Sequence, residues 1–242
     1  MHAYSACDIG KKRTENQDCL MTEEFENGVL AFVCDGMGGM ENGAEASRIA
    51  VDAVKIMFRE QYQPQMDSDA VCALLRECTS AANKAVYRFA VSGDSRIRMG
   101  TTIVGAFVRE GLACLINVGD SRAYLIRSAG EAEQITLDHT VVQLLFERGD
   151  ITAEERLTHP RRNELTRAVG VSNRVLADSY EVKLSADEKL LLCSDGLYNL
   201  VSAEEIADTV RRLPANEVPA ALVNAANENG GRDNISVVLL AG

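Results

Sequence analysis

The chain has no tryptophan, only six tyrosines and six phenylalanines, and three histidines among its 242 residues. Proteins that bind nucleic acids need basic groups for the phosphates, and those that bind single strands also use aromatic rings on which bases stack. The formal net charge here is −11. These absences together argue against a nucleic-acid partner.

Long apolar runs are also missing. No stretch approaches the roughly 20 apolar residues that cross a bilayer, and the first residues show no basic region followed by an apolar run. We therefore expect neither a signal peptide nor membrane insertion. The seven cysteines contain no Cys-x-x-Cys pair and no zinc-like spacing. We expect them to be reduced, mostly buried thiols of a cytoplasmic protein.

What is present is an ordinary globular composition, with 46% hydrophobic and 25% charged residues. No linker, repeat or low-complexity segment divides the chain, so we expect one domain over residues 1–242. Apolar runs predict strands at residues 28–34, 101–108, 112–118, 123–127, 189–193 and 235–240. Helical periodicity predicts helices at about 44–62, 69–90, 203–213 and 217–229.

This order of elements lacks the strict βαβ alternation of a doubly wound fold. It predicts an α+β fold in which two antiparallel sheets pack as a sandwich with helices outside them. The breaks at residues 110–111 and 119–121 suit antiparallel hairpins. The polar segment 138–163 contains a capping-box pattern, Thr152 with Glu155, and is predicted to be an insertion over the main body.

Aspartates stand at the predicted ends of several strands. Asp35, Asp120 and Asp195 each follow an apolar run, and Asp233 comes just before the last one. One such residue predicts only a turn. Four of them, each beside a glycine, serine or asparagine, would converge in one cleft if both sheets bring these strand ends together.

A cleft of this kind requires a cation, because close carboxylates raise one another's pKa unless a positive charge neutralises them. Oxygen ligands without nearby histidine or cysteine favour Mg²⁺ or Mn²⁺ over zinc. Two such ions can acidify a water and polarise phosphoryl oxygens. Arg13 is the candidate for binding the phosphate, because a guanidinium matches its geometry.

Seven motifs now form a recognisable set. In chain order they are Asp8-x-Gly10-x-x-Arg13-x-x-Asn16-Gln17-Asp18, Asp35-Gly36-Met37-Gly38-Gly39, Gly100-Thr101-Thr102, Val118-Gly119-Asp120-Ser121-Arg122, Asp138-His139-Thr140, Ser194-Asp195-Gly196-Leu197 and Asp233-Asn234-Ile235-Ser236. Each alone is weak, but the ordered set resembles the bacterial type-2C, metal-dependent (PPM) protein serine/threonine phosphatases over nearly the whole chain.

The resemblance implies helix pairs outside the sandwich and direct hydrolysis of phosphoserine and phosphothreonine at a two-metal centre with Mn²⁺ or Mg²⁺. By motif, it implies that Asp35 bridges both ions and that the Gly36 carbonyl supports one of them. The remaining implied roles are Asp195 and Asp233 on the other ion, Asp18 through a metal-bound water, Asp120 with Asp195 on a third ion, Asn234 orienting Asp233, and Arg13 on the substrate phosphate.

The resemblance also implies a flap subdomain at about 141–163, next to the active site, as a candidate substrate selector. Some family members carry a histidine after the Asp-Gly pair, proposed as the general acid, whereas this chain has Met37. The proton donor is therefore open, and a metal-bound water is one candidate. The implied partners are phosphoproteins, including a serine/threonine kinase and its targets, and we expect a monomer.

Two alternatives stay open at this point. The run Cys7-Asp-Ile-Gly10-Lys-Lys-Arg13 fits the loop of cysteine-dependent phosphatases, although Asp8 adjoins the thiol and no strong apolar strand precedes it. The other alternative is a catalytically inactive sensor or binding module on the same fold. The chain retains every acidic position of the family motifs, which favours an enzyme.

Overall fold

Strands and helices follow one another in blocks along the chain. The computed structural model describes residues 1–38, 42–92 and 97–242. The strands in these ranges are β1 His2–Asp8, β2 Asp18–Phe25, β3 Gly28–Gly38, β4 Met99–Thr101, β5 Ile103–Arg109, β6 Leu112–Val118, β7 Arg122–Ile126, β8 Ala132–Gln134, β9 Asp178–Lys183, β10 Lys189–Cys193 and β11 Ile235–Ala241. The helices are α1 Asn42–Gln61, α2 Ser68–Val91, α3 Val141–Glu147, α4 Ala153–Thr158, α5 Asp195–Tyr198, α6 Ala203–Arg212 and α7 Val218–Glu228.

The strands form two antiparallel sheets. The first has the order β1-β11-β10-β7-β8, and the second has the order β2-β3-β5-β6-β9, with β4 paired to the far end of β3. Helices α1 and α2 pack on the second sheet, and α6 and α7 pack on the first. The predicted sandwich with outer helices is therefore confirmed.

Three apolar clusters separate these four layers. One lies between the two sheets, a second between α1, α2 and the second sheet, and a third between the first sheet and α5–α7. Phe32, Phe58 and Phe107 fill the second cluster and are almost fully buried. Each large apolar side chain buried in this way contributes about 1.5–3 kcal/mol.

The helix starts follow the local sequence. Asp67 caps α2 by accepting a hydrogen bond from the Ala70 amide at 2.8 Å. The predicted capping box of Thr152 and Glu155 begins α4, and a second one, Ser202 with Glu205, begins α6. Such caps satisfy amide groups that the first helical turn leaves without partners.

One predicted hairpin is wrong. Strands β5 and β6 pair around residues 110–111 as expected, but β6 and β7 belong to different sheets. Residues 119–121 instead carry the chain across the sandwich. The buried hydroxyl groups of Thr102 and Ser121 are hydrogen-bonded at 2.7 Å and hold this crossing in place.

Strands β1, β2 and β9 were not predicted. All three lie at sheet edges, where one strand side has no neighbour and part of the surface meets solvent. Their residues alternate between more and less exposed positions and do not form an apolar run. The edge position therefore removes the hydrophobic signal on which the prediction depended.

All seven cysteines are free thiols, as expected, and five of them are buried. Cys7 is the exposed one. Within the described ranges, no helix has the length and hydropathy needed to span a bilayer.

Candidate active site

Five aspartates converge at one end of the sandwich. Asp18 begins β2 and is paired directly opposite Asp35 of β3. Asp120 lies in the crossing between sheets, Asp195 begins α5, and Asp233 lies just before β11. The charges of the other four all raise the pKa of Asp35, after burial as the main cause. The fold therefore brings these carboxylates together, as the sequence predicted.

The position of Asp35 differs from the prediction in one respect. Strand β3 does not end there but continues to Gly38, because residues 36–38 pair with β4. The Asp35 amide donates to Thr102 Oγ1 at 2.9 Å, and its carbonyl accepts from the Thr102 amide at 2.9 Å. Asp35 is thus held inside a sheet. Gly39 of the same motif lies outside the described residues.

Two glycines next to the aspartates permit close backbone contacts. A Cβ atom on Gly36 would lie 2.1 Å from the Gly43 carbonyl oxygen, at the start of α1. A Cβ atom on Gly196 would lie 1.9 Å from the Asn234 carbonyl oxygen. Any side chain at position 196 would therefore push α5 away from the segment that carries Asp233.

The carboxylates lack enough partners to be stable as isolated anions. Burial raises the pKa of Asp18 and of Asp120 to about 6, and raises that of Asp195 well above its usual range. Asp18 Oδ2 accepts from Ser194 Oγ at 2.7 Å, and Asp195 Oδ2 accepts from Asn199 Nδ2 at 3.1 Å. The Oδ1 atoms of Asp18 and Asp195 are buried without a partner. A cation would supply the missing interactions.

The donor set suits a hydrated hard cation better than a closed cage. In the described part of the chain, no three histidine, cysteine, aspartate or glutamate side chains form a ready-made ion site. Mg²⁺ usually keeps several waters and takes only one or two carboxylates from a protein. Pairs of aspartates with unpartnered oxygens therefore fit such an ion.

Arg13 reaches the site from the loop before β2. Its Nη2 donates to Asp233 Oδ2 at 2.7 Å, and its side chain is 51% exposed. The hydrogen bond that Arg13 donates to Asp233 raises the pKa of Arg13, so the guanidinium stays charged. A guanidinium has five N–H donors, so one bond to Asp233 leaves others for a phosphate.

Asn234 anchors this loop. Its Nδ2 donates to the carbonyl oxygens of Ile9 and Glu15 at 2.9 and 3.0 Å, and its Oδ1 accepts from the Gln17 amide. It contacts Asp233 only through its backbone amide, which donates to Asp233 Oδ1 at 2.9 Å. The side chain therefore positions the segment before Asp18 and not the carboxylate of Asp233.

A second network, missed by the sequence reasoning, holds Asp120. Arg122 binds Asp138 in a fork, with the shortest contact at 2.6 Å, and lies 3.6 Å from the centre of the Tyr198 ring. The Tyr198 hydroxyl donates to the Asp120 carbonyl oxygen at 2.9 Å. Arg122 and Asp138 both belong to the family motifs, and their opposite charges were the signal from which this ion pair could have been predicted.

Neither His139 nor Met37 supplies a proton donor to the carboxylates. His139 Nδ1 accepts from the Gly119 amide at 3.1 Å, so Nε2 carries the proton and faces Asp178 Oδ2 at 3.0 Å. Burial lowers the pKa of His139, which keeps the ring neutral. Met37 instead lines an apolar groove with Ile97.

The environment of Cys7 contradicts a cysteine nucleophile. Its Sγ accepts hydrogen bonds from Asn16 Nδ2 at 2.9 Å and Ser236 Oγ at 3.3 Å. Although Cys7 is exposed at the surface, the protein atoms packed around its thiol exclude water and raise the pKa, whereas a nucleophilic cysteine needs a lowered one. The loop that follows leads into a strand and not into a helix. These features argue against the cysteine-dependent alternative.

The segment 141–163 borders the cleft. A cavity of about 480 Å³ is lined by Asp120, Asp195 and Asp233 on one side, and by Arg156 and Arg162 of this segment on another. Few side chains of α3 and none of α4 are buried. This small structure thus lies where a substrate would approach the carboxylates.

Comparison with known proteins identifies the family. The profile of the protein phosphatase 2C family matches residues 10–235. The chain belongs to this family. It is similar to the serine/threonine phosphatase stp of Listeria monocytogenes, with 35% identity over 242 residues, covering 99% of this chain and 95% of the relative. The chain is accordingly a metal-dependent protein phosphatase.

Solved structures of other phosphatases have the same fold. The serine/threonine phosphatase of S. agalactiae superposes with a TM-score of 0.92 at 29% identity, covering 99% of this chain and 98% of that one. The catalytic domain of the phosphatase PstP, solved in complex with two manganese ions, gives a TM-score of 0.84 at 30% identity, covering 98% and 96%.

Proposed function

We propose that this phosphatase hydrolyses phosphoserine and phosphothreonine in proteins with a water molecule activated at a two-metal centre of Mn²⁺ or Mg²⁺. The observation that carries the proposal is the convergence of five aspartates with unpartnered, buried oxygens on Asp18 and Asp195. The manganese-bound PstP structure supports the choice of ion.

Each aspartate takes the role that its position allows. Asp35, which is paired opposite Asp18 and lies near enough to Asp195 for their charges to interact, would bridge the two ions, and the carbonyl of Gly36 would support one of them. Asp195 and Asp233 would bind the other. When bound, the ions lower the pKa of a coordinated water and polarise the phosphoryl oxygens.

The remaining aspartates modulate the centre. Asp18, fixed by Ser194 through Oδ2, keeps Oδ1 free to act through a metal-bound water. Asp120, with Asp195, would hold a third, weaker ion. The network of Arg122 and Tyr198 keeps the Asp120 backbone in place for this role.

Arg13 binds the substrate phosphate. Its exposed guanidinium already lies at the rim beside Asp233, and a bidentate contact with phosphate oxygens uses the donors that Asp233 does not occupy. Because Met37 cannot donate a proton and His139 is occupied by Gly119 and Asp178, water in the cleft protonates the leaving oxygen.

The wider setting follows from the family. Relatives named serine/threonine phosphatases support phosphoprotein substrates. We propose that these include a serine/threonine kinase and its targets, that the enzyme acts as a monomer in the cytoplasm, and that residues 141–163 form a flap subdomain that helps to select substrates.

A phosphopeptide panel tests the proposal. Peptides with phosphothreonine, phosphoserine or phosphotyrosine are assayed with Mn²⁺, with Mg²⁺ and with EDTA. We expect EDTA and the Asp195→Asn variant to abolish hydrolysis of the first two, and Cys7→Ser to retain it. Activity that survives EDTA and disappears in Cys7→Ser would overturn the two-metal assignment. An enzyme with no activity under any of these conditions would favour the inactive binding module.

A further inference from the structure

A cluster of cations lies around the Arg13–Asp233 pair and the adjoining Arg232, which lines the cleft. It consists of Lys11, Lys12 and Arg13 from the loop after β1, and Arg232 from the loop before β11. The two loops are joined because the Gly231 carbonyl oxygen accepts from the Lys11 amide at 2.7 Å and from the Lys12 amide at 3.2 Å. The basic triplet thus lies directly against the residue before Arg232.

The fold holds this arrangement in place. Asp8 Oδ1 accepts hydrogen bonds from the Gly10 amide at 2.8 Å and from Asn227 Nδ2 at 3.0 Å. These bonds tie the start of the lysine loop to the end of α7. These hydrogen bonds therefore fix the backbone of the loop that carries Lys11, Lys12 and Arg13.

Most of these cations have no internal partner. Arg13 pairs with Asp233, but within residues 1–38, 42–92 and 97–242 no carboxylate lies within 4.0 Å of the side-chain nitrogens of Lys11, Lys12 or Arg232. All three residues are exposed, and Arg232 lines the cleft beside Asp233. Unpaired cations at one rim are notable in a chain whose net charge is −11.

The negative charge of the aspartates does not cancel the positive charge of Lys11, Lys12 and Arg232 when metal ions are bound in the cleft. Five aspartates converge there, and two divalent ions would neutralise four of the five charges. The potential that an approaching peptide meets is then set mainly by the rim. A peptide in extended conformation advances about 3.3 Å per residue, so residues two or three positions from the phosphorylated one lie about 7–10 Å away. Lysine and arginine side chains reach such residues.

We infer that Lys11, Lys12 and Arg232 select phosphoprotein segments in which aspartate or glutamate flanks the phosphorylated residue. This inference rests on the proposed function, because Arg13 must hold the phosphate for the flanking residues to reach the rim. It adds the substrate class to that function. Arg13 orients the phosphate, and the three other cations bind the acidic side chains beside it.

The expected effect is moderate. An exposed ion pair contributes enough to change affinity by a factor of about 1.5 to 5. Two lysines acting together should therefore change KM for an acidic peptide by about 2- to 25-fold. The effect should fall with salt, because the Debye length shortens from about 10 Å at 0.1 M to about 3 Å at 1 M.

Three phosphothreonine peptides that differ only in their flanks test the inference. The flanking positions on both sides carry glutamate, glutamine or lysine, and kcat/KM is measured with Mn²⁺ for the wild type and for the Lys11→Glu/Lys12→Glu variant. The matched control is Lys84→Glu/Lys183→Glu, which makes the same charge change at two exposed lysines of α2 and β9, away from the loops that carry Lys11, Lys12 and Arg232. Thermal unfolding verifies that all three proteins are folded.

We expect the wild type and the control to prefer the glutamate peptide through a lower KM, and the Lys11/Lys12 variant to lose or reverse this preference. Equal kcat/KM for the three peptides in the wild type, or equal shifts in variant and control, would overturn the inference and leave the phosphatase intact. If the wild type with Mn²⁺ hydrolysed none of the peptides and no p-nitrophenyl phosphate, the proposed function would instead be refuted, and the inference with it.

Discussion

Neutralising Asp120 should stabilise the metal-free protein. This side chain is only 9% exposed, and burial raises its pKa from 3.8 to about 6. Each pKa unit corresponds to about 1.4 kcal/mol, so the charged carboxylate destabilises the metal-free fold by about 3 kcal/mol at pH 7.5. For a chain of this size, the Asp120→Asn variant should therefore unfold about 6–12 °C higher in EDTA.

The sign of the pH dependence follows from the raised pKa. The penalty is present in full above the folded-state pKa and disappears as the pH falls toward the unfolded-state value, because the carboxyl group becomes protonated in both states. The advantage of Asp120→Asn should thus shrink to about 1 kcal/mol at pH 4.5. Scanning calorimetry in EDTA at both pH values measures it.

The exposed Asp187, in the turn before β10, offers a matched control, because Asp187→Asn removes the same charge outside the cleft and outside residues 141–163. Its unfolding temperature should change little. If Asp120→Asn were no more stable than wild type in EDTA at pH 7.5, or if its advantage did not decrease with pH, the electrostatic account of the cleft would be refuted.

Two further perturbations address the geometry of the site. Gly196→Ala places a Cβ atom against the Asn234 carbonyl. We therefore expect a loss of about 1–3 kcal/mol in the free energy of unfolding, measured with denaturant, and a loss of phosphatase activity in the peptide assay. Unchanged activity would contradict the close approach of these two segments. Burial lowers the pKa of His139, so protonation destabilises the fold as the pH falls below about 6.5. The Tm of His139→Gln relative to that of wild type should therefore rise between pH 7.5 and 5.5, and a constant difference would show that His139 does not titrate in this way.

The sequence predicted the layers and the carboxylates well because both rest on strong local signals. Runs such as residues 190–193 of β10, Leu-Leu-Leu-Cys, are apolar throughout and are central in a sheet, so their prediction needed no tertiary information. The ordered aspartate motifs then restricted the fold to one that gathers them. The buried, unpartnered oxygens of Asp18 and Asp195 are what this gathering produces.

The misses have a common physical origin in contacts between distant segments. The crossing at residues 119–121 has the composition of a hairpin turn, and only the bond between Thr102 and Ser121 marks it as a passage between sheets. Likewise, Ser194 was quoted in a motif, but its hydrogen bond to Asp18 joins positions 176 residues apart. Residue types at fixed spacings cannot specify such partners.

The main-chain role of Asp35 shows the same limit. Its position inside β3 depends on pairing with β4, a strand of three residues that carries little signal of its own. The prediction that a strand ends at Asp35 treated the glycines after it as a turn. In the structure, Gly36 and Gly38 continue the strand and allow α1 to approach it closely.

The most direct test of the central claim is a titration with Mn²⁺ that counts bound ions by isothermal calorimetry and follows hydrolysis of a phosphothreonine peptide in the same samples. We expect the wild type and the Asp187→Asn control to bind two ions tightly per chain and a third more weakly, with activity that rises as the second ion binds. Asp35→Asn should lose binding at both sites and at least about a thousandfold in kcat/KM. Full activity with no bound ion, or two ions and normal activity in Asp35→Asn, would contradict the two-metal centre proposed for this phosphatase.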